Sequence, residues 1–266
     1  MIAKALRILR ARGLAGFAYA IRIRLKSLAT RQAASFNDYK ALFAGKQGVE
    51  IGGPSPAFSS RGFFPVYPIL AGLDNCTYGD RTVWEGDIVE GRTYQFDRTK
   101  PPGMQHIAEA TDLQRFVDEA FDFVLASHVL EHVANPIRAL IEWKRIVREG
   151  GLIVLILPDR AQTFDHQRPV TTLEHLLTDF QLNTREDDLT HLPEILALHD
   201  LSRDPEAGHA DAFRQRSMDN MRHRCLHHHV FDPALVRSLL SHVGLVVREI
   251  EIVPPYHILA IAHKAL

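Results

Sequence analysis

Cysteine is scarce: Cys76 and Cys225 are the only two in 266 residues. That is too few for a disulfide framework and makes a reduced, cytoplasmic setting the expectation. No apolar run is long enough to span a bilayer, and arginines interrupt each candidate apolar core of a secretion signal near the amino terminus. No H-E-x-x-H occurs, so histidine is not arranged in a compact helical zinc motif. Acidic residues are missing from positions 1–31, which carry eight basic ones, while the rest of the chain holds 23 basic against 32 acidic residues. The net charge of −1 therefore hides a basic arm and an acidic body, and that body argues against a broad nucleic-acid surface.

What is present is a chain that is 46% hydrophobic, enough to bury one full core with elaborations. Its organising stretch is 120–158, AFDFVLASHVLEHVANPIRALIEWKRIVREGGLIVLILP. Residues 121–126 form a short apolar run bounded by polar residues, as in a strand buried on both faces. Leu140, Ile141, Trp143, Ile146 and Val147 recur at helical spacing behind Asn135-Pro136, a suitable helix entry. Gly150-Gly151 stops that helix, and 152–157 reads as a second buried strand. Strand, helix and strand of this length make one right-handed crossover of a doubly wound sheet. Ligands of such sheets bind beyond the carboxyl ends of the strands, which places Ser127, His128 and Glu131, then Asp159 and Arg160, at the working rim.

The stretch 121–160 resembles the central segment of the class I S-adenosylmethionine-dependent methyltransferases, specifically the type 11-like branch with an aspartate-led strand, a VLEH turn and a GG helix stop. The resemblance extends over about 47–264. It implies an α/β, Rossmann-like doubly wound sheet of seven strands with an antiparallel last strand, and S-adenosyl-L-methionine as cofactor. By position it implies further roles. Gly52, Gly53 and Pro54 of GVEIGGPSP would form the glycine-rich turn, although Pro54 and Pro56 depart from the usual G-x-G-x-G. Glu50 would orient that loop or bind the methionyl ammonium group. Asp74, at the end of a second strand expected over 67–74, would accept from the ribose hydroxyls, with Glu85 as the competing candidate. Glu109 would accept from the adenine amino group, beside Ala110, and Ser127 and His128 complete the cofactor set.

Beyond Pro158, roughly 160–230 stands where a minimal domain of this kind has a short connection. Helical pieces are expected over 172–180, 187–199 and 204–224, as an acceptor-binding lid on the carboxyl edge of the sheet. Nine of the fifteen histidines fall in this insertion. For an oxygen acceptor a base of near-neutral pKa is needed, which histidine supplies; His128 is the first candidate, with His166 and His229 behind it. Asp165-His166 and His227-His228-His229 are the pairs most suggestive of a metal, although no metal ligands are assigned. Asp232 should cap a helix over 233–243, followed by two closing strands.

The expected function is methyl transfer to an oxygen or nitrogen of a small-molecule or glycan-related acceptor. A non-catalytic binding or scaffold protein and a metal-dependent hydrolase using the histidine-rich insertion are the alternatives. The expected organisation is a basic helical arm over 1–38 and a methyltransferase domain over 39–266. The arm either packs on the core or lies on the inner face of an anionic membrane through 1–31. The sequence does not fix the oligomeric state.

Overall fold

A computed structural model describes residues 32–204 and 207–265, together with 18, 19, 21–23, 25 and 26. After α1 (Phe36–Phe43), the first half contains β1 (Gln47–Ile51), β2 (Gly72–Thr77), a hairpin of β3 (Arg81–Thr82) and β4 (Gly86–Asp87), β5 (Gly91–Tyr94) and β6 (Gly103–Ile107). The crossover unit follows as β7 (Phe121–Ser127), α2 (Pro136–Ile146) and β8 (Val147–Pro158). The insertion contributes α3 (Leu173–Leu182), α4 (Leu192–Leu198), α5 (Ala210–Met218) and α6 (Asn220–His223). The chain closes with α7 (Pro233–His242), β9 (Leu245–Val253) and β10 (His257–Lys264).

The main sheet has the order β5-β6-β2-β1-β7-β8-β10-β9. Strands β6, β2, β1, β7 and β8 are parallel, and β10 runs antiparallel to β8 and β9. There are eight strands instead of the expected seven, because the four-residue β5 adds an antiparallel edge beside β6. The chain moves outward from β1 in one direction and resumes on the other side at β7, which puts the topological switch between them.

Both faces of the sheet are covered. On one, Leu140 and Trp143 of α2 and Leu239 of α7 pack on Val49, Val124 and Ile153. On the other, an aromatic cluster of Phe36, Phe43, Phe58, Phe64 and Phe123 closes the core, and each such ring contributes roughly 1.5–3 kcal/mol by burial. Helix α1 therefore crosses the boundary expected at residue 38, because its two phenylalanines belong to the core.

The second strand begins later than expected. Tyr67–Ile69 is a 3-10 turn containing Pro68, and pairing starts at Gly72, opposite Gln47. The strand then runs to Thr77, which leaves Asp74 in its middle, opposite Val49.

The basic arm falls almost wholly outside the described residues. Residues 18, 19, 21–23, 25 and 26 of it are helical, and Tyr19 Oη donates to the Gln162 carbonyl at 2.8 Å. Lys26 Nζ donates to Gln162 Oε1 at 3.2 Å, and the Arg203 guanidinium lies 5.4 Å from the Tyr19 ring centre. Among the described residues no helix is long and apolar enough to cross a membrane.

Candidate functional site

The carboxyl ends of β1, β2, β6 and β7 surround a cavity of about 340 Å³, within the size range of small-molecule sites. Its floor is the turn after β1. Gly52 has φ of +73°, and a Cβ there would stand 2.7 Å from Val129 Cγ2, so both backbone and space require glycine. At Gly53 a Cβ would meet Tyr94 Oη at 2.3 Å and Glu50 Cδ at 2.4 Å. Asn75 holds the turn from below, accepting from Gly53 N–H at 2.9 Å and donating to Gly53 O at 3.0 Å.

Glu50 is fully buried beneath this turn. It accepts from Tyr67 Oη at 2.6 Å, Tyr94 Oη at 2.5 Å and Ser55 N–H at 3.1 Å. Burial pushes its carboxyl up to about 7, against the pull of those hydrogen bonds. Of the two roles expected for Glu50, this placement fits orienting the loop; it does not line the cavity.

Asp74 is also away from the cavity. Its Oδ1 accepts from Met104 N–H at 2.9 Å across the sheet, so the strand register does not bring this side chain, expected at the ribose, to the cavity wall. Glu85 faces the cavity instead. It is carried on the β3–β4 hairpin and accepts from Thr82 Oγ1 at 2.9 Å.

Pro54, Glu109, Ala110, Ser127 and His128 all line the cavity. The Glu109 carboxylate also accepts from Arg224 Nη2 at 2.5 Å, and Arg224 Nη1 lies 3.2 Å from Glu186 Oε2. Burial raises Glu186 to about 7, with Arg224 pulling the other way. Arg224 and Glu186 bring the insertion to the cavity wall. Sequence reasoning missed both, since nothing local in their segments distinguishes them from surface charges.

His128 has φ of +55°, a left-handed conformation that costs a non-glycine residue energy and tends to persist at functional sites. Its N–H donates to Ile156 O at 2.8 Å, which fixes the turn. The ring spans two partners: Nδ1 is 3.2 Å from Glu131 Oε1, and Nε2 is 2.9 Å from His257 Nδ1. Burial works to raise the Glu131 pKa, but the hydrogen bond from His128 and the neighbouring imidazoles outweigh it and hold the carboxyl below its ordinary value. His257 is pushed down to about 3 by burial and then by His128, so it is neutral. An ionised carboxylate against Nδ1 fixes the tautomer whose Nε2 accepts a proton, the arrangement of an oriented base.

The two other histidines proposed as bases are elsewhere. His166 lies 3.8 Å from Asp200, and His229 is buried against Ala134 O at 3.2 Å. Neither lines the cavity. The suggestive pairs also separate: His227 Nδ1 binds Asp165 Oδ2 at 2.6 Å, while His229 joins a different cluster.

A family model described as Methyltransferase domain matches residues 73–155. Among curated proteins, an uncharacterized protein of Methanocaldococcus jannaschii is 44% identical over 54 residues, which are 20% of this chain and 26% of that protein. The chain thus matches about a quarter of that relative's length. Among solved structures, a Rhodobacter sphaeroides protein assigned by its name to the Zn-dependent alcohol dehydrogenases is similar in fold, with a TM-score of 0.54 and 16% identity over 88% of this chain and 90% of that one. A SAM-dependent methyltransferase from Methanosarcina mazei matches with a TM-score of 0.47 and 16% identity over 89% of this chain and 99% of that one.

Proposed function

We propose that this chain, a member of the class I S-adenosylmethionine-dependent methyltransferase superfamily, transfers a methyl group to an oxygen or nitrogen of a small-molecule or glycan-related acceptor. The observation that carries this reading is the cavity at the switch between β1 and β7, floored by Gly52 and walled by Glu85, Glu109 and Ala110. Its residues fit an adenosyl ligand. Gly52 lines the cavity without a side chain, which lets a ligand approach the backbone, and the Glu85 carboxylate suits a pair of ribose hydroxyls. Ile51, Val129 and Val133 give apolar walls for a base.

S-adenosyl-L-methionine, when bound, supplies a methyl group already activated on a sulfonium. The protein's own contribution is alignment and exclusion of water. Gly52 and Ser127 set the depth of the cavity, and Arg224, reaching from the insertion, closes its side. His128, oriented by Glu131, takes the proton from an acceptor hydroxyl or amine at Nε2, displacing the hydrogen bond from His257. The polar insertion suits a hydroxylated acceptor. A cytoplasmic location, with the basic residues 1–31 touching the inner face of an anionic membrane, belongs to the same reading and would favour lipid-linked acceptors.

Calorimetric titration with S-adenosyl-L-methionine and S-adenosylhomocysteine tests the cofactor half. The wild type should bind both, and Glu85→Ala should weaken binding by roughly tenfold, the loss of about one charged hydrogen bond. A folded wild type that binds neither would overturn the reading.

A further inference from the structure

Away from this cavity, the insertion gathers four metal-ligating side chains. His175 and Asp179 are one turn apart on α3 and share a face. His191 immediately precedes α4, and His229 lies on the return segment between α6 and α7. One donor atom from each lies within 4.8 Å of the other three. His175 Nε2 is 3.1 Å from His191 Nε2 and 3.2 Å from Asp179 Oδ2, and His229 Nε2 is 3.8 Å from that same oxygen. Donors bonded tetrahedrally to zinc at about 2.0–2.1 Å are about 3.4 Å apart, close to the 3.1 and 3.2 Å that separate His175 Nε2 from His191 Nε2 and Asp179 Oδ2.

Two buried polar atoms of the cluster lack hydrogen-bond partners. Asp179 is 7% exposed, and its Oδ2 is buried without a hydrogen-bond partner, as is Nδ1 of His229. Such orphaned polar atoms are costly in a folded interior. The other carboxylate oxygen is fixed, accepting from Thr184 Oγ1 at 3.1 Å, so Oδ2 is turned into the cluster. His229 donates its Nε2–H to Ala134 O at 3.2 Å, the kind of carbonyl contact that orients ligating imidazoles, which leaves the orphaned Nδ1 as its ligating atom.

We propose that His175, Asp179, His191 and His229 bind one divalent transition-metal ion, zinc by the character of three imidazoles and one carboxylate. The protein fills all four tetrahedral positions, so the ion is structural and has no open position at which to activate water. It ties α3, the start of α4 and the segment around 229 to one another. That return segment begins at Arg224, so the ion anchors the side of the insertion that faces the cavity. The site stands whether or not the chain transfers methyl groups.

The test uses full-length protein purified without a histidine tag. Elemental analysis should find close to one zinc per chain, and removal by a chelator should lower Tm, with zinc alone restoring it. Asp179→Asn and His191→Ala should each abolish stoichiometric zinc. His132→Ala, which breaks the separate Glu131, His132 and His227 grouping, should retain it. Cobalt(II) in the wild type should show the intense visible bands of tetrahedral coordination. Zinc retained by Asp179→Asn and His191→Ala would overturn the proposal. So would a folded wild type that holds no zinc and whose Tm does not respond to added zinc, a result that needs no variant to fold.

Discussion

The carboxylates of the cofactor half divide by what surrounds them. Glu50 is a buried post under the glycine turn, and its folded pKa of about 7 lies above its ordinary 4.5. The stability it contributes is therefore fully present below about pH 4.5 and is lost as pH rises through about 7, a change on the order of 3 kcal/mol. Glu50→Gln should flatten that decline, as denaturant unfolding of both proteins across the window would show; parallel curves would refute it. Asp74→Asn should leave cofactor affinity nearly unchanged, since that side chain serves Met104 N–H, whereas Glu85→Ala weakens it. The opposite ranking by calorimetry would return the ribose role to Asp74. For His128→Gln, kcat should fall by roughly 10² to 10⁴, while Glu131→Gln keeps the imidazole but loses its orientation and falls less. Equal turnover of His128→Gln and wild type on an oxygen acceptor would remove the base from the mechanism.

At the level of elements, local signals were legible where local chemistry decides. Asn135 accepts from Arg138 N–H at 3.1 Å and Asp232 accepts from Leu235 N–H at 2.7 Å, capping α2 and α7 at the positions their sequences implied. Asp232→Ala should cost about 1 kcal/mol in chemical denaturation, and a change smaller than experimental error would show that the cap is dispensable. Helix α2 ends at Ile146, before Gly150-Gly151, because β8 begins pairing at Val147 opposite Phe121. Strand β2 was misplaced for a similar reason: 67–71 looks apolar enough for a strand, but pairing with β1 begins only at Gly72. The edge strand β5, GRTY, carries no hydrophobic alternation, and only its partner β6 makes it a strand.

Across the whole molecule, the insertion acts on the cavity through Arg224, which bridges Glu109 and Glu186. Arg224→Ala leaves the buried Glu186 without its cation and should destabilise the protein by roughly 3 kcal/mol. Limited proteolysis should then cut within 160–230 faster than in the wild type. Unchanged cleavage would mean that the insertion is held by other contacts, the proposed zinc cluster first among them.

The sequence by itself determined the crossover from β7 through α2 to β8, the glycine turn after β1, the caps of α2 and α7, and the placement of Glu109, Ser127 and His128 at the rim. The crossover, the caps and the rim positions 127 and 128 follow from periodicity, punctuation and strand ends, which are properties of neighbouring residues, while the glycine turn and Glu109 follow by position from the resemblance to the methyltransferases. Only the tertiary structure decided that Glu85 replaces Asp74 at the cavity, that His257 and Glu131 flank His128, and that His175, Asp179, His191 and His229 converge. Strand register and the packing of an insertion bring together residues as far apart as 128 and 257, and no local pattern records those distances.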